Sequence, residues 1–213
     1  SIILEFSMKK ITSFFAAIAL VVAFNASAQT YVKGKHYVVL DKPVKTVTGD
    51  KIEIREFFWY YCPHCFNAEP YLHHWASTLP DNAQLMRHPA VFRDSWKQGA
   101  VFYYVLEELN EVDRLHGKLF EAIHVHKTPL IDQDDFVEWL ADHGVDKNKA
   151  EQAYKSFSVR IKLNKAVNSM KNYPIKGVPA IVVNGKYWTD SSHAGSIKKM
   201  LDVVDYLVKK ESK

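Results

Sequence analysis

The chain has 213 residues, 28 Lys and Arg against 24 Asp and Glu for a formal charge of +4, and 47% hydrophobic residues. That suits one domain of moderate size, or one domain carrying an insertion, with ample material for an apolar core. Lys147, Lys149, Lys155 and Lys162 alternate with acids and apolar residues, the look of a solvated helix face rather than a nucleic-acid stripe, and the two cysteines are too few for a disulfide-built scaffold.

The first segment sets the compartment. Met8-Lys9-Lys10 is a basic start, residues 11–24 are an apolar run, and Ala26-Ser27-Ala28 is a small-residue cleavage site. Residues 1–28 are therefore expected to be upstream residues plus a cleaved signal peptide, with a mature chain from about Gln29 in the periplasm. Losing Glu5, Lys9 and Lys10 lowers the charge only from +4 to +3. The apolar run is short of the ~20 residues that span a bilayer, and no later stretch approaches that length, so the mature chain is expected to be a monomer that is not membrane-embedded.

Residues 36–40 and 51–58 are rich in Val, Ile and Phe and flank the turn signal Thr48-Gly49-Asp50, which predicts two strands. After Cys65 the apolar spacing becomes Ala68, Leu72, Trp75 and Leu79, a helical stripe that stops before Pro80-Asp81-Asn82. Pro70 lies inside it and predicts a bend. Residues 83–91 read as a third strand. Amphipathic runs then follow over 96–109, 112–126, 132–143, 147–157 and 158–173, an all-helical module. Asn184-Gly185 between residues 180–183 and 186–188 is a hairpin signal, because both central positions of the favoured turn need positive φ. A single last helix is expected over residues 192–209.

The chemistry concentrates at Cys62-Pro63-His64-Cys65, where a strand gives way to a helix. At a helix start the first N–H groups lack internal partners and meet the positive end of the macrodipole, so an anion there is stabilised. Pro63 suits the first helical position, where its missing N–H costs nothing. His64 offers a hydrogen bond or, when protonated, a charge. Only the reduced form carries a thiolate, so each pKa unit by which the fold lowers Cys62 favours that form by ~1.4 kcal/mol, or ~30 mV. The catalytic reading makes Cys62 exposed and attacking and Cys65 buried and resolving. A structural staple would close a loop of only two residues, and a zinc site lacks a second Cys or His pair at metal spacing.

With that motif and Gly177-Val178-Pro179-Ala180 in view, the chain resembles the DsbA family of periplasmic thiol:disulfide oxidases. The resemblance implies an α/β thioredoxin-like fold with an inserted all-helical domain: residues 29–93 and 168–213 as the thioredoxin part and 94–167 as the insertion. It also implies an oxidising poise, a cis bond before Pro179, and use of the Val178 backbone to pair with an extended client. Unfolded exported proteins bearing cysteines are then the clients, and a DsbB-like membrane oxidoreductase coupled to quinone restores the disulfide. No cofactor beyond the Cys62–Cys65 pair is expected.

Glu56 enters by both routes. Ile52, Ile54, Glu56 and Phe58 share one strand face by the period of two, so the carboxylate points where its neighbours are apolar and is expected to be buried with a raised pKa. The family places a buried acid near this point that tunes the inner cysteine or relays its proton. His73-His74 and His124-Val125-His126 are not spaced to share a helix face and read as solvated or satisfied rather than as metal ligands. Tyr103, Tyr104, Trp96 and Phe102 read as core or groove lining, and Trp59, Tyr60 and Tyr61 either pack beneath the dithiol or offer apolar surface to clients. An isomerase or reductant of the same fold, for which no dimerisation domain precedes the dithiol, and a binding or chaperone module with an inert bridge remain open.

Overall fold

The computed structural model describes residues 30–212. The signal-peptide expectation lies outside the described residues. Five strands, β1 (Val38–Val39), β2 (Ile52–Phe58), β3 (Ala83–Pro89), β4 (Ala180–Val183) and β5 (Tyr187–Asp190), form one sheet in the order β1-β5-β4-β2-β3. Only β2 and β3 run parallel, and the crossover between them is α1 (Pro63–Ala76), as a parallel pair requires. β4 pairs antiparallel with β2 and with β5. The β4–β5 hairpin turns at Asn184 and Gly185, with φ of 51° and 63°, as the dipeptide predicts.

Between β3 and β4 come α2 (Lys97–Glu108), α3 (Val112–His124), α4 (Gln133–Asp142), α5 (Lys147–Tyr154) and α6 (Phe157–Ser169). The chain is thus a mixed α/β thioredoxin-like fold interrupted by helices, as the resemblance implies. Local chemistry sets several of these starts: Asp132 accepts from the N–H groups of Asp134 and Asp135, Asp146 from that of Lys149, and Ser156 from that of Val159. Each satisfies donors that the first turn leaves free.

The expected single C-terminal helix is instead two, α7 (Ser191–Ala194) and α8 (Ile197–Glu211). Gly195 takes a φ of 96° and ends the first, and the Ser196 hydroxyl caps the second by accepting from the Lys199 N–H. α1 continues through Pro70 as one helix.

Period two divides β2 between two cores. Ile52 and Ile54 join Ala68, Leu72 and Trp75 of α1 and Met200, Val204 and Leu207 of α8 on one face. Phe57 joins Ala180, Val182, Met170 and Tyr173 on the other. Phe58, at the end of β2, enters a third cluster with Phe102, Leu115, Phe120 and Leu140 of the inserted helices, and Cys62 and Cys65 belong to that cluster too. The dithiol thus sits at the seam between the sheet and the helical module.

Candidate active site

Cys62 is the N-cap residue of α1, with extended backbone (φ −89°, ψ 116°), and Pro63 follows it at the start of the helix. No side chain caps this helix and no acid occupies its first turn, so its free N–H groups are left to the Cys62 sulfur. The thiol is lowered to about 6, first by a hydrogen bond from the Cys65 thiol, against the cost of burial, and then by the backbone N–H groups of Cys65 and His64 and the His64 charge. Cys65 goes the opposite way: burial pushes it far up, and the hydrogen bond and charge of Cys62 add to that. Both are free thiols in the structure.

Cys62 is not the openly exposed sulfur that the sequence suggests. It is 9% exposed and Cys65 2%, because the chain at Val178 closes over it and the Val178 carbonyl accepts from the Cys62 thiol at 3.6 Å. Cys62 is still the more accessible of the two. The Val178–Pro179 bond is cis, as the resemblance implies, and this segment lies against the dithiol. His64 is exposed on the first turn of α1.

The aromatic residues before the dithiol pack beneath it. Tyr60 is fully buried, Tyr61 donates its hydroxyl to the Leu130 carbonyl at 2.7 Å, and Trp59 stacks on Trp96 with centroids 4.1 Å apart. Phe102, Tyr103 and Tyr104 are core. His124 bonds the Tyr60 carbonyl at 2.7 Å and stacks on Phe66, which makes it a satisfied histidine; His73, His74 and His126 are exposed.

Glu56 is 1% exposed, and burial raises it to about 8, with the Arg87 charge opposing. Its neighbours are what residue spacing did not reveal. Glu56 stands opposite Arg87 across the β2–β3 pair, with Arg87 Nε 3.5 Å from its carboxylate. The same guanidinium donates to Glu69 at 3.2 Å, and Glu69 lies 3.3 Å from His116 Nε2. Glu69 had a signal, since it falls one turn after Cys65 and therefore on the same face of α1. Arg87 and His116 had none: a strand register and a helix docking bring them in.

A strand-to-helix dithiol with one activated and one suppressed sulfur, facing a cis-proline on a thioredoxin-like sheet, defines a thiol:disulfide oxidoreductase. The comparisons with known proteins narrow that class. Residues 84–202 match the model of the DSBA-like thioredoxin domain. The thiol:disulfide interchange protein DsbA of Pseudomonas aeruginosa is 37% identical over 195 residues, covering 92% of each chain. That of Azotobacter vinelandii is 39% identical over 178 residues, 84% of this chain and 83% of the relative. Among solved structures, the crystal structure of Pseudomonas aeruginosa DsbA superposes with a TM-score of 0.82 at 38% identity, covering 85% of this chain and 95% of that one. Oxidoreductase DsbA from Xylella fastidiosa superposes at 0.80 with 28% identity, covering 86% and 99%. This chain belongs to the DsbA family of thiol:disulfide interchange proteins, with the C-x-x-C pair Cys62–Cys65 and the oxidase role of that family.

Proposed function

We propose that this protein works in the periplasm as a monomer that donates the Cys62–Cys65 disulfide to newly exported proteins. A client thiolate attacks the Cys62 sulfur, the Cys62–Cys65 bond breaks, and Cys65 leaves as a thiolate. A second client thiolate then attacks the client sulfur of the mixed disulfide and Cys62 leaves as a thiolate, so the client's two sulfurs lose two electrons and the dithiol gains them. The Val178 backbone, next to cis-Pro179, aligns the client segment. A DsbB-like membrane oxidoreductase coupled to quinone removes the electrons, and no bound cofactor takes part. Residues 94–167 form the inserted domain on the thioredoxin-like part.

The observation that carries this reading is the opposition of the two sulfurs, Cys62 pulled down to about 6 and Cys65 pushed up. It makes Cys62 the better leaving group and places the negative charge of the reduced form on it. Cys65, leaving as a thiolate into a buried site, needs a proton, and Glu56 at about 8 still carries one at neutral pH. Once ionised, Glu56 raises Cys65 further, so the two groups are near enough to be coupled.

The test is stoichiometric oxidation of a dithiol peptide by the oxidised protein. Rapid transfer of one disulfide per chain, abolished in Cys62→Ser, is expected. An inert bridge, or a dithiol found predominantly reduced in the periplasm, would overturn the donor reading.

A further inference from the structure

Four buried polar groups and one partly buried cation, from five parts of the chain, converge near the dithiol: Glu56 on β2, Tyr60 after it, Glu69 on α1 and His116 on α3, with Arg87 on β3. Tyr103 on α2, His73 on α1 and Asp113 on α3 are further titratable groups around them, and Arg114, Lys118 and Glu121 of α3 border the same cleft as Glu69. One guanidinium serves two carboxylates, and two buried anions against one cation would leave an uncompensated charge. The cluster therefore retains a proton on one acid.

The donors are not shared evenly. Glu69 receives a hydrogen bond from Arg87 at 3.2 Å and has His116 Nε2 at 3.3 Å. It also borders a cleft of about 330 Å³ that is lined by Phe66, Pro70, His73, Arg87 and His116 as well. Among the described residues, Glu56 has only Arg87 Nε, at 3.5 Å. The imidazole is oriented in turn: Tyr60 lies 2.7 Å from His116 Nδ1 through its hydroxyl. That is the one hydrogen bond the fully buried hydroxyl makes among the described residues, so Tyr60 donates it. Nδ1 is then the acceptor and the imidazole proton sits on Nε2, on the Glu69 side.

We propose that His116 is a positioning residue for thiol exchange: held by Tyr60, it keeps Glu69 as the anion paired with Arg87 and so leaves the cluster's proton on Glu56. Glu69 is held below the usual carboxylate range, against burial, by the His116 contact and the Arg87 charge, which agrees with this assignment. It rests on the reading of Glu56 as proton donor to Cys65.

The experiment is the pH profile of dithiol-peptide oxidation by the full chain. The limb that falls as Glu56 ionises should move to lower pH by about one unit in His116→Leu, because Glu69 then competes for the proton once the 3.3 Å imidazole contact is gone. His116→Gln, whose amide N–H can still donate to Glu69, should keep the limb near its original place. Tyr60→Phe frees the tautomer and should move it part of the way. An unmoved limb in folded His116→Leu, or an equal shift in His116→Gln, overturns the assignment; if His116→Leu does not fold, an unmoved limb in Tyr60→Phe does so. Glu56→Gln separates the two ideas. A limb lost in Glu56→Gln but unmoved in the His116 variants refutes the His116 role alone, whereas one that survives in Glu56→Gln refutes the Glu56 reading and this inference with it.

Discussion

Cys62 stands at the N-cap position of a helix that no side chain caps, and a thiolate there, where a hydroxyl or carboxylate is usual, puts redox chemistry where other helices put structure. Thiolate absorbance of the reduced protein should titrate with a midpoint of about 6 rather than the ordinary 9. Replacing Cys65 by Ala should raise that midpoint more than replacing His64 by Ala does, because the Cys65 thiol is the largest stabilising contribution and the His64 charge a smaller one. An unshifted wild-type midpoint would leave the disulfide with no excess of oxidising power over a free peptide. Glu56→Gln should slow exchange at neutral pH by up to about 10²-fold, the lower range for loss of a positioned proton donor, without lowering the denaturation midpoint; unchanged kinetics would remove its proton role. Period two placed Glu56 on an apolar face, and burial followed. What it faces there, Arg87 held between two acids, belongs to strand register and could not be read from spacing.

At the scale of elements, most boundaries follow from capping and turn chemistry. Two glycines are informative. The last helix is split at Gly195, whose φ of 96° is unfavourable for other residues, yet the sequence pattern around it is continuous enough to suggest one helix. Gly185 carries a tighter demand. A Cβ there would lie 1.9 Å from the Val44 carbonyl oxygen, and the Val44 N–H donates to the Gly185 carbonyl at 2.8 Å, so hairpin and preceding loop touch through bare backbone. Gly185→Ala should therefore destabilise the protein by about 2–4 kcal/mol in chemical denaturation, and a near-neutral result would mean that the loop yields. Asn184 beside it contributes differently: its amide and Lys186 both donate to Glu211 at the end of α8, tying the hairpin to the C-terminal helix.

Across the whole molecule, two buried ionisable groups make stability depend on pH with opposite signs. His88 is 6% exposed behind the sheet, and burial and then the Arg55 charge lower it from 6.5 to about 4. The unfolded chain then binds the proton first, so the contribution of His88 is complete above about 6.5 and is lost as pH falls towards about 4. Glu56 has the reverse sign: raised from 4.5 to about 8, its contribution is complete below about 4.5 and is lost as pH rises through about 8. Between about 4.5 and 6.5 the two slopes oppose each other, so urea midpoints should decline below about 4.5 and again from about 6.5 to 8; Glu56→Gln should remove the upper decline and unmask the His88 slope up to about 6.5, and an upper decline unaffected by that substitution would assign it elsewhere. The thioredoxin-like order of elements, the helical interruption, the dithiol at a helix start and the hairpin at Asn184-Gly185 were all determined by the sequence itself, because periodicity, turn residues and helix starts are local and act over a few residues. The covering of Cys62 by the Val178 carbonyl, the closing of β2 between β3 and β4, and the meeting of Glu56, Glu69, Arg87 and His116 were decided only by the tertiary structure. Each depends on contacts between residues far apart in the chain, which no local propensity encodes.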